Sequence, residues 1–423
     1  MKLFSLLLGD EPGYLRLHNV LAFPFFSWGI WRLSRLINSQ PLQWAFMAAA
    51  LFNPYILDFF SVARGYGMAI TFQVWSLFYF VKAAGRPFDF RSWLAVVLMN
   101  TLTAGANLSY FYTIMAMAGF YTLNLGYRQF RLQRPIHKKE KLVFLLFALL
   151  LTLVLADLLF IKYYGHDLEY GGADMINSMF LTVWQGSLYY ASYSFLAPWL
   201  AYISFLFICA VCLYYCITAL RHRQLTTGFL LCLPLLSILL LSSLFNLVTG
   251  TPFLTMRTAL QWYIPGILLI SFFLGEKTAL ATRIKPLLSI CSFLVAAGIA
   301  MHFYTRADKS WCYEWINQCN TREAIYTIYA QQPKHPWLTA YTSGVFTNYY
   351  HITDSTHLSP WPEFVPFEKN DPNRAGLTKR LANADWIISS TPYLLNELQT
   401  INKQFEVLKT YPVTHYQLIK VLP

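Results

Sequence analysis

Apolar runs of roughly 17 to 25 residues recur along the first three quarters of the chain, each long enough to cross a bilayer as a helix. A segment buried in hydrocarbon must satisfy its backbone internally, so a chain built from such runs has few folds open to it. Ten runs can be marked: about 17–36, 41–57, 65–82, 92–107, 108–126, 142–163, 195–219, 227–248, 258–275 and 286–303. Composition agrees. Of 423 residues, 56% are hydrophobic and 12% charged, with a mean hydropathy of +0.41. The charged share of a soluble domain is about twice that. The expected fold is an all-α polytopic membrane domain of about ten transmembrane helices.

The net charge of +12 does not indicate nucleic acid as a partner, because no stretch interleaves basic residues with aromatics as a nucleic-acid groove would. The densest basic run, "YRQFRLQRPIHKKEK" (127–141), lies between two apolar runs. Alternate loops divide unequally in Lys and Arg. One set carries Arg32, Arg35, Lys82, Arg86, Arg91, the 127–141 cluster, Arg221, Arg223, Lys277, Arg283 and Lys285; the other carries Arg16, Arg64, Lys162 and Arg257 near the runs. The positive-inside rule makes the first set cytoplasmic. Asp58, Arg64, the loop 165–193, "TGTPFLTMR" (249–257) and the tail are then expected on the opposite side.

After residue 304 no run has span length. Residues 305–423 carry helical and alternating patterns such as "ADWIISS" and "THYQLIKVL", the pattern of a small mixed α/β extracytoplasmic domain. The expected division is therefore 1–304 and 305–423. Cys312 and Cys319 fall in the tail, on the oxidising side, and could pair. The other five cysteines lie within runs and are read as small apolar fillers.

Charge at the mouth of a membrane domain is costly, so charged residues there read as functional. Four places qualify on the extracytoplasmic side: Asp10 with Glu11, Asp58 with Arg64, the loop acids Asp167, Glu169 and Asp174, and Arg257. A guanidinium presents a planar fork suited to phosphate oxygens. In "RGYG" the glycines permit close backbone approach and Tyr66 offers a hydroxyl. An ion pair of Asp58 with Arg64 at the membrane boundary would account for that pair equally well, and Arg257 could reach lipid headgroups by snorkelling. No phosphate-binding loop or HExxH motif is present; Cys209 and Cys212 have CxxC spacing but, with Cys216, lie along a helix face inside an apolar run, and the nine histidines are scattered.

Four stretches together resemble the bacterial GT-C glycosyltransferases, a group akin to the protein O-mannosyltransferases and the lipid A aminoarabinose transferase. They are "LRLHNVLAF" (15–23), "NPYILDFFSVARGYGMAITF" (53–72), "GANLSYFYTIMA" (105–116) and "GTPFLTMRTALQWYIP" (250–265). The resemblance covers about 1–303 and implies an enzyme of the bacterial inner membrane. Such an enzyme takes a sugar from a polyprenyl-phosphate carrier and passes it to a glycan, lipid or protein acceptor outside the cytoplasm. By resemblance, Arg64, Tyr66 and Arg257 would bind the donor phosphate, and Asp58 would orient Arg64 or position the acceptor. An acid in the first extracytoplasmic loop would serve as general base, and Asp10 and Glu11 are the acids available. The family's first span would precede residue 15, so the resemblance implies a chain lacking that span. The resemblance implies no definite cofactor and leaves a divalent cation open. A lipid-linked saccharide transporter and a non-catalytic membrane scaffold are the competing classes. A transporter more commonly shows paired repeats with charge at mid-membrane depth.

Overall fold

The structure is a computed structural model and describes residues 12–61, 65–85, 88–131, 133–161, 171–189, 191–222, 224–280, 285–306, 321–331, 338–340, 363–365, 377–389, 392–411 and 417–422. The chain divides into two compact units, Met1–Ala307 and Asp308–Pro423.

The first unit is helical throughout its described length. Its α-helices are α1 (Pro12–Ser34), α2 (Gln40–Leu51), α3 (Pro54–Ser61), α4 (Tyr66–Ala84), α5 (Phe90–Ala106), α6 (Phe111–Phe130), α7 (Lys138–Phe160), α8 (Thr182–Leu188), α9 (Ala197–His222), α10 (Thr227–Thr249), α11 (Tyr263–Leu280) and α12 (Lys285–Arg306). Each marked apolar run falls on one or more of them. Five segments among the described residues are long and apolar enough to cross a membrane: Lys138–Phe160, Ser194–His222, Thr227–Thr249, Met256–Lys277 and Pro286–Arg306. The chain is an integral membrane protein on that ground.

The run 41–57, expected as one span, is two helices. Phe52 ends α2 by donating its N–H to Ala48 O at 2.9 Å, and α3 starts at Pro54. Proline suits the first helical position but drives the residue before it out of the helical region. Asn53 fills the break: its Oδ1 accepts from Tyr55 N at 3.0 Å, and its Nδ2 donates to Ser187 Oγ at 2.9 Å. At about 1.5 Å per residue the 12-residue α2 is roughly 18 Å long, well short of a bilayer core.

Elsewhere the helix ends follow from local chemistry. Thr226 caps α10 by accepting from Phe229 N at 3.2 Å, and Gly250 ends it at φ 68°, where glycine carries no Cβ penalty. Pro234 sits inside α10, which is tolerated where neighbouring helices re-satisfy the freed carbonyl. Polar ties hold the bundle at depth: Ser76 Oγ donates to Asn100 Oδ1 at 2.7 Å and Trp75 Nε1 to Phe25 O at 3.0 Å.

The second unit is mixed α/β. It contains α13 (Thr321–Ala330), β1 (Leu338–Ala340), β2 (Glu363–Val365), α14 (Leu377–Asn383), β3 (Trp386–Ser389), α15 (Pro392–Thr400), β4 (Phe405–Thr410) and β5 (Gln417–Val421). The strand order is β2-β1-β3-β5-β4. β1 runs parallel to β2 and β3, while β5 runs antiparallel to β3 and β4. Because side chains alternate along a strand, Trp386, Ile388 and Leu418 pack with Ala324, Ile325 and Ile328 of α13. Ile387, Ile419 and Val421 pack on the other face with Leu381 and Leu398 of α14 and α15. Helices therefore cover both faces of this sheet. Cys312 and Cys319 lie outside the described residues.

Candidate functional site

Tyr66 opens α4, and Arg257 lies in the 3₁₀ helix Met256–Trp262 that leads into α11. The Arg257 guanidinium carbon sits 5.7 Å from the centre of the Tyr66 ring, within cation–π range. Both side chains are half-buried. The Tyr66 ring packs in turn on Phe59 of α3, centroid to centroid 5.3 Å. Tyr66 also marks the positive end of a 19-residue helix, so a fixed cation, a phenol and a helix N-terminus converge there.

The glycines flanking Tyr66 have a packing role. A Cβ on Gly65 would fall inside van der Waals contact with the carbonyl oxygen of Ala106, at the end of α5. A Cβ on Gly67 would come within 2.7 Å of Phe59 O and 3.2 Å of Asn19 Oδ1. Asn19 from α1 accepts from Met68 N at 3.2 Å. The close approach expected of "RGYG" is thus made to neighbouring helices, which fixes the start of α4.

Arg257 is positioned by the stretch 171–189, expected as a loop and found largely helical. Asp174 accepts from Ile176 N at 2.9 Å and Asn177 N at 3.2 Å, and also binds the Asn177 side chain. It thereby caps the π-helical turn Ile176–Leu181, which continues into α8. Gly172 and Phe253 exchange two backbone hydrogen bonds, at 3.1 and 3.0 Å. Thr182 Oγ1 accepts from Met256 N at 2.8 Å. Met256 itself has φ 49°, a left-handed conformation that costs a non-glycine residue about 1–3 kcal/mol and persists only where its surroundings enforce it.

Asp58, half-buried on α3, is held from the same stretch. The hydroxyl of the buried Tyr189 lies 2.9 and 2.8 Å from its two carboxylate oxygens. Tyr189 ends α8 at φ 51°, so the site contains a second left-handed non-glycine residue. His302 of α12 secures the turn before it. Its Nε2 lies 2.8 Å from Ser187 O, and because a carbonyl can only accept, Nε2 carries the proton; Nδ1, 2.5 Å from the Tyr193 hydroxyl, then accepts.

A polar layer continues from these elements into the bundle. Gln73 of α4 donates to Gln261 O at 2.7 Å, and Gln261 donates to Ser109 O at 2.9 Å. Gln73 Oε1, Gln261 Oε1, Ser109 Oγ and Tyr110 OH are buried with no hydrogen-bond partner. Each such group costs about 1–3 kcal/mol.

The structure thus brings Tyr66 and Arg257 together and puts Asp58 on the helix that packs against Tyr66. Asp10, Glu11 and Arg64 lie outside the described residues. Tyr189 has no advance signal: its partner is 131 positions away, and it sits in a stretch without span-length apolar pattern. Among the described residues no group of three His, Cys, Asp or Glu side chains could hold a metal ion.

Tyr189→Phe removes a hydrogen bond to a charged acceptor while keeping the ring. Such bonds contribute about 1.5–3 kcal/mol. The expected result is a lowered thermal unfolding midpoint, with Asp58→Asn less harmful because an amide oxygen still accepts from Tyr189. A midpoint unchanged in Tyr189→Phe would show that the bond does not hold the site.

No protein-family model and no curated protein sequence matches the chain. Among the solved structures similar to it are ArnT from Cupriavidus metallidurans bound to undecaprenyl phosphate and the same protein in the apo state. The first has 11% sequence identity and a TM-score of 0.43, the second 12% and 0.42. Each comparison covers 99% of this chain and 85% of the other.

Proposed function

We propose that this protein is a GT-C type glycosyltransferase that moves a sugar from a polyprenyl-phosphate carrier to an acceptor at the extracytoplasmic face of a bacterial inner membrane. The observation that carries the reading is the Arg257 guanidinium over Tyr66 at the N-terminus of α4. Cation, phenol and helix dipole all favour a phosphate over any neutral group. The sequence resemblance in 15–23, 53–72, 105–116 and 250–265 supports it, since residues of those stretches contact one another: Asn19 with Met68, Tyr66 with Arg257, and Gln261 with Ser109.

In this reading the bond between the anomeric carbon and the carrier phosphate breaks, and the leaving phosphate takes the electron pair. Arg257, with Arg64, stabilises the charge that develops there. The acceptor oxygen forms the new bond and gives its proton to a carboxylate. Asp58, held by Tyr189, orients the acceptor hydroxyl, and Asp10 or Glu11 takes the proton. The acceptor is a glycan, a lipid or a protein, and the second unit lies on the acceptor side. The orientation follows the Lys/Arg asymmetry of the loops.

The test is sugar transfer by purified protein in liposomes containing a radiolabelled polyprenyl-phosphate sugar and extracts of envelope glycans, lipids or proteins. Label appearing on an acceptor, with free polyprenyl phosphate released in equal amount, is expected. Movement of the intact lipid-linked sugar across the bilayer without release of polyprenyl phosphate would replace the enzyme reading with a transporter.

A further inference from the structure

At the basic end of the first unit, α6 and α7 leave a groove between them. Leu125, Gly126 and Gln129, within about one turn of α6, face Lys141 and Phe144 of α7, and Ile136 of the connecting stretch also lines it. The cavity is about 260 Å³, below the roughly 300–1,000 Å³ of small-molecule sites. It can therefore hold part of a ligand, with the remainder outside. Its lining is largely apolar; the polar members are Lys141, Gln129 and Thr122, whose hydroxyl already donates to Ala118 O at 2.9 Å.

Charge at that rim is one-sided. Glu140 is the sole acid in the sequence from 121 to 145. It is fully buried and already paired with Arg128, and its Oε2 accepts from His137 N at 2.8 Å. Lys141 and its exposed neighbours Arg131, Arg134 and Lys138 thus have no carboxylate nearby in sequence to neutralise them. Leu123, Phe130 and Leu145 add exposed apolar surface around the groove.

We propose that this groove binds one anionic phospholipid, its phosphate at Lys141 and the first part of an acyl chain along Leu125, Gly126 and Phe144. Charge complementarity selects the occupant. An apolar helix from a partner would leave Lys141 without a counter-charge, and a zwitterionic lipid would supply no net charge to the cluster. Gly126 is a lining residue, and an added Cβ there meets no atom within 4 Å, so a larger side chain can be introduced at that position. This site is independent of the transferase reading.

Two variants of the full chain separate the groove from general surface attraction. Gly126→Leu fills the cavity and leaves every charge in place; Lys141→Glu reverses the rim charge and leaves the cavity open. Native mass spectrometry of detergent-solubilised protein titrated with phosphatidylglycerol or phosphatidylcholine counts bound lipids. The wild type is expected to hold one phosphatidylglycerol in preference to phosphatidylcholine. Lys141→Glu should weaken it about thirtyfold, two charge units at the strength of one surface lysine each. Gly126→Leu should abolish the one-to-one species, and Lys141→Ala serves where the charge reversal lowers folded yield. Loss on charge reversal with Gly126→Leu unaffected would reduce the site to bulk attraction and overturn the proposal. Equal binding of the two lipids would overturn it as well.

Discussion

Arg257→Ala, purified as folded protein, is expected to transfer sugar from a polyprenyl-phosphate donor about 10²–10³-fold more slowly than the wild type. That is the range seen when one donor to a developing oxyanion is removed, about 2.7–4 kcal/mol. Arg257→Lys keeps the charge and loses the planar fork, so it should retain only part of the rate. Tyr66→Phe leaves the ring under the guanidinium and removes only the hydroxyl, so its loss should be smaller than that of Arg257→Ala. The rate constant with saturating donor, compared across the three at equal folded concentration, is the readout. Wild-type turnover by Arg257→Ala would remove Arg257 from the phosphate site.

The second large effect is on stability. Glu140 is fully buried and its partner Arg128 is 24% exposed. Removing one member of a buried ion pair strands the other charge and costs about 3–5 kcal/mol, whereas replacing both with apolar side chains is often nearly neutral. Arg128→Met should therefore unfold at a markedly lower temperature in detergent. Arg128→Met combined with Glu140→Leu should recover most of the loss. Recovery will be incomplete, because Glu140 also caps α7 through His137 N–H, and a lost cap costs about 1 kcal/mol. A single variant as stable as the wild type would show that the pair is solvated.

How much of this was legible in the sequence depends on the range over which each feature is encoded. The helices were, because span-length apolar runs are local; "ADWIISS" and "THYQLIKVL" likewise contain β3 and β5. The break at Asn53–Pro54 was also local, since proline displaces the residue before it from helical geometry, yet apolar residues on both sides make 41–57 look continuous. The helical character of 171–189 was hidden for a different reason. It rests on Asp174 capping and on pairing with Phe253, not on a long apolar face. Tyr66 and Arg257 were candidates from residue type, loop position and resemblance, but that the guanidinium lies over the ring follows only from how α4 packs against the 250–262 stretch. The glycines of "RGYG" show the same limit: sequence indicates close approach, and only the packed helices reveal that Ala106 and Phe59 are what they approach. Tyr189 and His302 had no signal, because each acts through hydrogen bonds to partners more than a hundred positions away in the chain.

The central claim is that the Tyr66–Arg257 site holds the carrier's phosphate. A polyprenyl phosphate bearing a photoreactive group next to the phosphate, crosslinked to the full chain in liposomes and mapped by peptide mass spectrometry, tests it most directly. Crosslinks are expected in the peptides containing Tyr66 or Arg257, competed by unmodified polyprenyl phosphate and lost in Arg257→Ala. Competable crosslinks confined to other peptides, or undiminished in Arg257→Ala, would contradict the assignment.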